Sequence, residues 1–388
     1  MGAGTPRAFR RITFSVMPTV ATRKRLVFAG GGHAHLYSLA RTGELVRRGY
    51  EVVLVDLSPH LYYSGMATGV ISGAYAPDEP RIDVRRLVES GGGEFVRGRI
   101  ERVQATNREI VLDTGDTVPY DAASFCLGSE VVSGAAGSEA DVVRVKPVGG
   151  LWEVRRRLMA FDGDRAPRIL VVGGGPAGCE VAANALALLD RSGLGGDLTL
   201  VHEGASLLPE APKRARTLIL RFLRERGAKV LTNTAVTRLG SGVAGTGGGR
   251  EVPYDLAVLA VGVSPPDLFR ASGLPAGDGG GLWVDRHLRS VGDERLFGGG
   301  DCVAFGGEPL PGLGVFAVRQ APIIFRNVQA VSNGGRLLEY KPQKRFLYII
   351  SLGDGTGLAI YGSFAWRGKL SWWLKHRIDE KFVEEYRR

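Results

Sequence analysis

Short, continuous apolar runs alternate with longer amphipathic stretches along most of the chain. Residues 26–29 and 51–56 are apolar runs, which is typical of buried parallel strands, and residues 33–48 between them carry helical spacing. This order predicts a βαβ unit whose second strand ends on Asp56. An acidic residue at that position can accept hydrogen bonds from the ribose hydroxyls of an adenosine.

The second half of the chain repeats this plan. An apolar run at 169–172 precedes a helical stretch at 179–190 and a further short strand. Each half then continues into short alternating runs with hairpin turns. Each closes on an apolar strand that ends in a glycine, which is Gly128 in the first half and Gly262 in the second.

These elements predict an α/β fold of two Rossmann-like three-layer domains, followed by a small C-terminal α+β segment with a hairpin and an amphipathic helix. Residues 283–305 return to the first domain, which makes that domain discontinuous. The predicted boundaries are 1–24 for a flexible N-terminal extension, 25–145 with 266–335 for the first domain, 146–265 for the second domain and 336–388 for the C-terminal segment.

The N-terminal 24 residues are rich in arginine, but their apolar stretch is too short for a secretion signal. They are either a disordered extension or an overlong gene start, with translation beginning at Met17.

Composition excludes several classes of protein. The chain of 388 residues has a net charge of +10 and no apolar run of the ~18 residues that a membrane-spanning helix needs. It lacks the basic-aromatic modules of nucleic-acid readers, so we expect no nucleic-acid partner. Its three cysteines, Cys126, Cys179 and Cys302, form no Cys-x-x-Cys pair, so we expect no disulfide framework and no metal site. A reducing, cytoplasmic compartment is the default.

Each half opens on a glycine-rich turn between strand and helix, GGGHAH in the first and GGGPAG in the second. The first glycine of such a turn permits the tight bend, the second lets backbone N–H groups approach a pyrophosphate, and the third lets the helix pack closely on the strand. His35 replaces the third glycine in the first turn. Two such turns suggest two dinucleotides and electron transfer. The candidate residues are Gly30 and Gly32 in the first turn and Gly173, Gly175 and Gly178 in the second.

With the later turn Gly300-Asp301-Cys302, the ordered series of motifs resembles the pyridine-nucleotide-disulfide reductase superfamily over about residues 25–385. The resemblance implies that the first domain binds FAD, with Asp301 near its ribitol or pyrophosphate. It implies that the second domain binds NAD(P)H. The cofactor-binding candidates that it adds to the turn glycines are His33, Asp56, Gly262, Gly300 and Asp301.

Within this superfamily the chain looks most similar to type II NADH dehydrogenases and to the NADH-dehydrogenase-like flavoprotein found fused ahead of selenide, water dikinase. Residues 31–35, 63–69 and 372–379 carry this similarity. It implies that Glu180 lies at the junction of nicotinamide and flavin and that Lys146 pairs with it, which makes both catalytic candidates. The alternative, a surface lysine and a glutamate favoured by the helix dipole, has equal weight.

The second βαβ strand ends at His202-Glu203, where type II enzymes commonly have an acid at the position of His202. Glu203 is one residue later, and no arginine is present to hold a 2′-phosphate, so NADH is favoured over NADPH. On the acceptor side, Ala317 and Gln320 match the later half of the helix that lies near the quinone in type II enzymes, whereas Val315 departs from it.

The terminal helix shows an apolar i,i+4 spine through residues 370, 374, 378, 382 and 386, with Trp372 and Trp373 alongside. Such a stripe fits docking against the protein body, a homodimer contact through 369–388, or a peripheral lipid interface at the inner face of the membrane. Docking is favoured, because acidic residues on the helix weaken attraction to lipid.

These features together predict an FAD-dependent NAD(P)H dehydrogenase that transfers hydride from NADH to FAD and electrons on to a quinone. Two alternatives stay open: a flavoprotein reductase with a soluble sulfur or selenium acceptor, and a flavin-bound redox sensor with little turnover. The lack of a Cys-x4-Cys pair argues against disulfide reduction.

Overall fold

The computed structural model describes residues 23–131, 141–162 and 165–387. Nearly all of the predicted N-terminal extension lies outside these residues. The chain divides into two compact units. The first unit contains the described residues up to Leu61 together with Ile82–Ser129 and Ser264–Gln343, and the second contains Tyr62–Arg81, Glu130–Val263 and Lys344–Arg388 so far as they are described.

The strands are, in chain order, β1 (Lys24–Ala29), β2 (Tyr50–Asp56), β3 (His60–Tyr62), β4 (Arg81–Asp83), β5 (Glu94–Arg97), β6 (Ile100–Gln104), β7 (Glu109–Leu112), β8 (Thr117–Pro119), β9 (Ala122–Phe125), β10 (Glu130–Val131), β11 (Val142–Arg144), β12 (Arg168–Val172), β13 (Asp197–Val201), β14 (Lys229–Leu231), β15 (Val236–Gly240), β16 (Val243–Thr246), β17 (Glu251–Pro253), β18 (Leu256–Leu259), β19 (Val263–Ser264), β20 (Leu282–Val284), β21 (Leu296–Gly298), β22 (Val303–Phe305), β23 (Glu308–Pro309), β24 (Leu347–Ser351), β25 (Gly357–Tyr361) and β26 (Phe364–Gly368).

The helices are α1 (His33–Leu39), α2 (Thr42–Arg47), α3 (Ser64–Ser72), α4 (Val84–Ser90), α5 (Leu151–Met159), α6 (Pro176–Ser192), α7 (Lys213–Glu225), α8 (Leu268–Ala271), α9 (Gly314–Asn333) and α10 (Lys369–Arg387), with short 3₁₀ turns at Val148–Gly150 and Gly300–Cys302.

The first unit is built on a parallel sheet of order β21-β9-β1-β2-β5. Strands β1 and β2 are buried over nearly their whole length, which explains their continuous apolar sequence. The hairpin excursion predicted in this half is present as the antiparallel sheet β6-β7-β8. Its turn places Gly115 at a positive φ of 86°, a conformation that favours glycine.

The helix predicted over 33–48 is two helices. Helix α1 ends at Leu39 and α2 begins at Thr42, with Arg41 outside helical geometry at φ −112° and ψ 20°. The Thr42 hydroxyl donates to the Leu39 carbonyl oxygen at 2.8 Å. This side-chain bond takes a carbonyl near the end of α1 and favours the break.

The second unit repeats the arrangement with a parallel sheet of order β11-β18-β12-β13-β14 and an antiparallel excursion β15-β16-β17. The predicted α/β class with parallel sheets is therefore confirmed. The C-terminal hairpin β24-β25 is present and gains a third antiparallel strand, β26, before α10 begins.

The boundaries of the units differ from the predicted domain boundaries. Residues 62–81, expected in the first domain, pack in the second unit because α3 lies against α6 and α5 there. The Ser72 hydroxyl donates to Asn184 Oδ1 at 2.7 Å, and Arg155 Nη1 donates to the Ile71 carbonyl at 3.1 Å. The side chains of Ala67 and Ile71 belong to the core of that unit.

In the part of the chain that the structure describes, no helix is both long and apolar enough to span a membrane. Within the same residues, no group of three or more His, Cys, Asp or Glu side chains is arranged to hold a metal ion.

Candidate functional site

The first glycine turn joins β1 to α1 and lies against the ends of two neighbouring strands. Gly30 has a φ of 89°, and a Cβ there would lie 2.4 Å from the Cys126 carbonyl oxygen, so only glycine fits. The Gly31 N–H donates to Asp56 Oδ2 at 2.5 Å. Burial raises the pKa of Asp56, and hydrogen bonds from the backbone N–H groups of Gly31, Ser58 and Leu57 oppose that rise. The structure thus brings the predicted turn and the predicted acid together.

His35 holds this turn from within the core. Its Nδ1 lies 2.6 Å from the Gly30 carbonyl oxygen, and its Nε2 lies 2.8 Å from the Ser124 hydroxyl on β9. The carbonyl can only accept, so Nδ1 carries the proton and Nε2 accepts from the serine. The ring is fully buried, packs edge-on against Phe28, and has its pKa lowered by burial to about 4. His35 therefore stays neutral and links α1 to β9 through hydrogen bonds. In the other turn, Gly178 has no side chain, and the helix approaches the turn directly.

The Gly300-Asp301 turn packs against the start of α9. Asp301 Oδ2 accepts a hydrogen bond from the Ser129 hydroxyl at 3.0 Å. Gln320 is fully buried, and its Oε1 accepts the Gly300 N–H at 2.7 Å. Ala317 is also buried, and a Cβ at Gly300 would lie 3.6 Å from the Ala317 Cβ. The residues predicted for the acceptor side therefore support the turn that carries Asp301.

The cysteines are buried thiols. Burial is the largest cause that raises the pKa of all three, and it brings that of Cys302 to about 12. A thiol in such surroundings does not form the thiolate that disulfide exchange requires.

The second glycine turn joins β12 to α6. Gly173 has a φ of 115°, and a Cβ there would lie 2.1 Å from the Ala260 carbonyl oxygen. A Cβ at Gly178 would lie 1.9 Å from the Gly173 carbonyl oxygen, so α6 approaches the turn as the motif requires. Gly175 and Gly262, in contrast, border open space. Helix α6 begins with Pro176 and has no side-chain cap, so its first N–H groups are available to an anion.

At the end of β13, His202 rather than Glu203 contacts the second turn. The Gly174 N–H donates to His202 Nδ1 at 3.2 Å, as the Gly31 N–H donates to Asp56. The Glu203 side chain is exposed. The imidazole of His202 thus takes the place that the carboxylate of Asp56 has in the first unit. Position 202 is also the one at which the sequence resemblance would place the acid.

Glu180 lies in a buried charged cluster that also includes Lys375 and Asp379 of α10. Its Oε1 accepts the Ser351 N–H at 2.7 Å. Burial raises the pKa of Glu180 to about 6, while the charge of Lys375 and the Ser351 hydrogen bond lower it. Lys375 Nζ lies 2.5 Å from Asp379 Oδ2, and both side chains are almost inaccessible, at 7% and 6% exposure.

The charged groups of this cluster also form hydrogen bonds with α3 and with Tyr63, the residue before it. The Tyr63 hydroxyl donates to Asp379 Oδ1 at 3.0 Å, and Lys375 Nζ donates to the Gly65 carbonyl oxygen. The charge of Lys375 therefore acts on Glu180, an interaction that the sequence did not indicate. Lys146, the cation that the resemblance implies, is a half-buried residue before the cis-proline Pro147.

The apolar spine predicted for α10 is only partly buried, so docking against the protein body, the favoured alternative, does not apply to its whole length. The expected apolar spine includes Leu370 and Ile378, which are 69% and 48% exposed. Ser371, Lys375, Asp379 and Val383, each one position after a residue of the spine, are buried, as is Tyr386, the last residue of the spine. The ion pair and its hydrogen bonds satisfy the buried charges, so a stripe with two charged residues can face the core. The i,i+4 spacing of Lys375 and Asp379 was the one signal in the sequence that could have indicated this.

Comparison with known proteins agrees with this architecture. Residues 24–321 match the model of the family described as pyridine nucleotide-disulphide oxidoreductase. Demethylphylloquinone reductase NdbB of Synechocystis sp. is 25% identical over 365 residues, covering 88% of this chain and 89% of that protein. NADH dehydrogenase-like protein YutJ of Bacillus subtilis is 23% identical over 363 residues, covering 91% and 96%.

Among solved structures, the sulfide:quinone oxidoreductase from Aquifex aeolicus superposes with a TM-score of 0.79 at 16% identity, covering 94% of this chain and 91% of that chain. This likeness concerns the fold alone. Together with the two ordered glycine turns, the family match leads to one conclusion: the chain belongs to the pyridine nucleotide-disulphide oxidoreductase family and is an oxidoreductase.

Proposed function

We propose that this protein is an FAD-dependent NAD(P)H dehydrogenase that transfers hydride from NAD(P)H to FAD and passes the electrons to a quinone-type acceptor. The observation that carries the proposal is the pair of glycine turns. In each turn the backbone N–H of the middle glycine, Gly31 or Gly174, donates to a side chain at the end of the next strand, Asp56 or His202. The names of the relatives, a demethylphylloquinone reductase and an NADH dehydrogenase-like protein, support the same reaction class.

The residues of the first unit fit FAD. Asp56 uses one oxygen for Gly31 and the other for Ser58, and each carboxylate oxygen has a second lone pair for a ribose hydroxyl. A side chain at Gly31 would collide with Val84 at 2.9 Å, so backbone alone faces this part of the turn. Asp301 is the candidate for the ribitol or pyrophosphate, and His33 begins the helix beside the turn. When bound, FAD accepts hydride from the nicotinamide and releases the electrons to an acceptor.

The second unit supplies the candidate site for the nicotinamide coenzyme. Gly173, Gly175 and Gly178 form the turn, Gly262 ends the segment after β18, and the uncapped start of α6 is favourable for the pyrophosphate. The sequence favours NADH through Glu203.

Glu180 is the group best suited to hold and move a proton. A carboxyl whose pKa is about 6 can both take and give a proton close to neutral pH. Lys375 and Asp379 position it by charge from within the same unit. Lys146 stays a second candidate cation, as the resemblance implies.

The test is an anaerobic titration of the purified, flavin-containing protein. We expect a yellow protein that NADH or NADPH bleaches and that a short-chain quinone then reoxidises. Bleaching without reoxidation by quinone would instead favour a soluble sulfur or selenium acceptor. Failure of both coenzymes to bleach the flavin would favour a redox sensor, and a colourless protein that takes up no FAD would refute the proposal.

We further propose a cytoplasmic protein that contacts either the inner face of the membrane or a second copy of itself through residues 369–388. The large apolar side chains of Leu370, Trp373 and Ile378 on α10 are exposed. Phe364 of β26, in the same unit, is 72% exposed. Flotation with anionic lipid vesicles would support the first contact. A dimer mass in light scattering, lost in Trp373→Glu, would support the second.

A further inference from the structure

The two glycine turns differ in the chemistry of the residue that holds them. In the first unit the Gly31 N–H is bound by the carboxylate of Asp56, at the end of β2. In the second unit the Gly174 N–H is bound by the imidazole of His202, directly after β13. The two side chains therefore occupy equivalent positions, and one is an anion while the other is not.

The hydrogen bond at Gly174 fixes which ring nitrogen of His202 carries the proton. Because the backbone N–H is a donor, Nδ1 must accept, and the proton of the neutral ring lies on Nε2. Nε2 is buried and has no hydrogen-bond partner among the residues that the structure describes. A buried donor without a partner is uncommon in folded proteins and needs a reason.

Glycine on both sides makes this arrangement possible. A Cβ at Gly174 would lie 2.6 Å from His202 Cγ, and a Cβ at Gly204 would lie 2.8 Å from His202 Nε2. A side chain at either position would therefore collide with the imidazole ring.

An acid at the end of this strand selects NADH, because it accepts from the ribose 2′-hydroxyl and repels a 2′-phosphate. An imidazole with its proton on Nε2 donates to either group and carries no negative charge. Glu203 does not restore the repulsion, because its side chain is exposed and its charge is screened by solvent. We propose that His202 lets the second unit accept the 2′-phosphate of NADPH as well as the 2′-hydroxyl of NADH. This inference rests on the proposed function of that unit as the nicotinamide coenzyme site.

Equilibrium binding to the flavin-loaded protein tests the inference without turnover. The probes are 5′-AMP, which has a free 2′-hydroxyl, and adenosine 2′,5′-bisphosphate, measured by titration calorimetry. We expect the wild type to bind the bisphosphate at least as tightly as 5′-AMP. His202→Asp should weaken the bisphosphate by about ten- to a hundredfold, the loss of one hydrogen bond to a charged group, and leave 5′-AMP unchanged or tighter.

Two variants make the result specific. Aspartate accepts the turn N–H in the first unit, so His202→Asp keeps the second turn intact. Asp197→Asn is the matched control, because Asp197 is an exposed carboxylate at the opposite end of β13, and we expect it to leave the ratio of the two affinities within about twofold, since an exposed charge contributes little. If the wild type binds 5′-AMP but the bisphosphate more than tenfold weaker, or binds neither probe, the inference is overturned. A shift caused by Glu203→Gln and not by His202→Asp overturns it as well.

Flavin bleaching separates this inference from the proposed function. Bleaching by NADH with none by NADPH would leave the proposed function standing and overturn the inference. Bleaching by neither coenzyme would overturn both.

Discussion

Removal of the Lys375 ammonium tests how strongly the buried ion pair holds the terminal helix. The Nζ–Oδ2 distance to Asp379 is 2.5 Å, and both side chains are almost inaccessible to solvent, so salt and water screen the pair very little. Truncation of one member of such a pair leaves the other charge buried without compensation, which costs about 3–5 kcal/mol. Lys375→Met keeps the length of the side chain. We therefore expect it to lower the free energy of unfolding at pH 7 by about 3–5 kcal/mol.

A double variant distinguishes charge from packing. Lys375→Met with Asp379→Asn removes both charges, and an asparagine oxygen can still accept from the Tyr63 hydroxyl. Replacement of a whole buried pair by neutral groups is often close to neutral for stability. We expect the double variant to recover at least about 2 kcal/mol relative to Lys375→Met, which would appear as a positive coupling in a double-mutant cycle.

Urea unfolding followed by far-ultraviolet circular dichroism, with all variants loaded with flavin, measures these differences. The exposed i,i+4 pair Arg221–Glu225 on α7 provides the control, because Arg221→Met removes a cation of the same unit that is open to solvent. A loss in Lys375→Met no greater than that in Arg221→Met would refute the reasoning. Strict additivity of Lys375→Met and Asp379→Asn would refute it too.

Three further changes have defined outcomes. Glu180 ionises with a raised pKa, so its contribution to the free energy of unfolding is present below pH 4.5, and about 2 kcal/mol of it is lost as the pH rises through 6. Glu180→Gln should abolish this difference between the free energies of unfolding measured at pH 4.5 and pH 7.5. His35→Gly restores the third glycine of the motif but leaves the Gly30 carbonyl and the Ser124 hydroxyl without their partner, so we expect the free energy of unfolding in urea to fall by about 3 kcal/mol or more. Ser124→Ala should lower it less, and an increase in stability of His35→Gly would contradict the role of His35. Asp301→Ala should lower flavin retention during gel filtration, and full retention would contradict its assignment.

The features that the sequence could predict are those encoded by neighbours along the chain. The glycine turn at 30–32 and Asp56 belong to one βαβ unit, so their spacing alone brought them together, and the hydrogen bond from Gly31 agrees with it. Gln320 was harder to interpret. A motif match placed it at an acceptor site, whereas the buried amide oxygen binds the Gly300 N–H, a contact across 20 residues that no periodicity reveals.

Helix α10 shows the limit of pattern analysis more sharply. Hydrophobicity alone places residues 370 and 378 inward, because an isolated lysine or aspartate is costly to bury. The structure buries Lys375 and Asp379 because Tyr63 and Gly65, some 310 residues away in the chain, supply partners for them.

The sequence by itself thus determined the α/β class, the two glycine turns and the order of the motifs, because steric rules for glycine and the burial of apolar strands act locally. Only the tertiary structure decided that Lys375 acts on Glu180, that His202 stands where Asp56 stands in the other unit, and that residues 62–81 join the second unit. Buried polar groups must find partners wherever the fold brings them, and that requirement joins residues that are distant in the sequence.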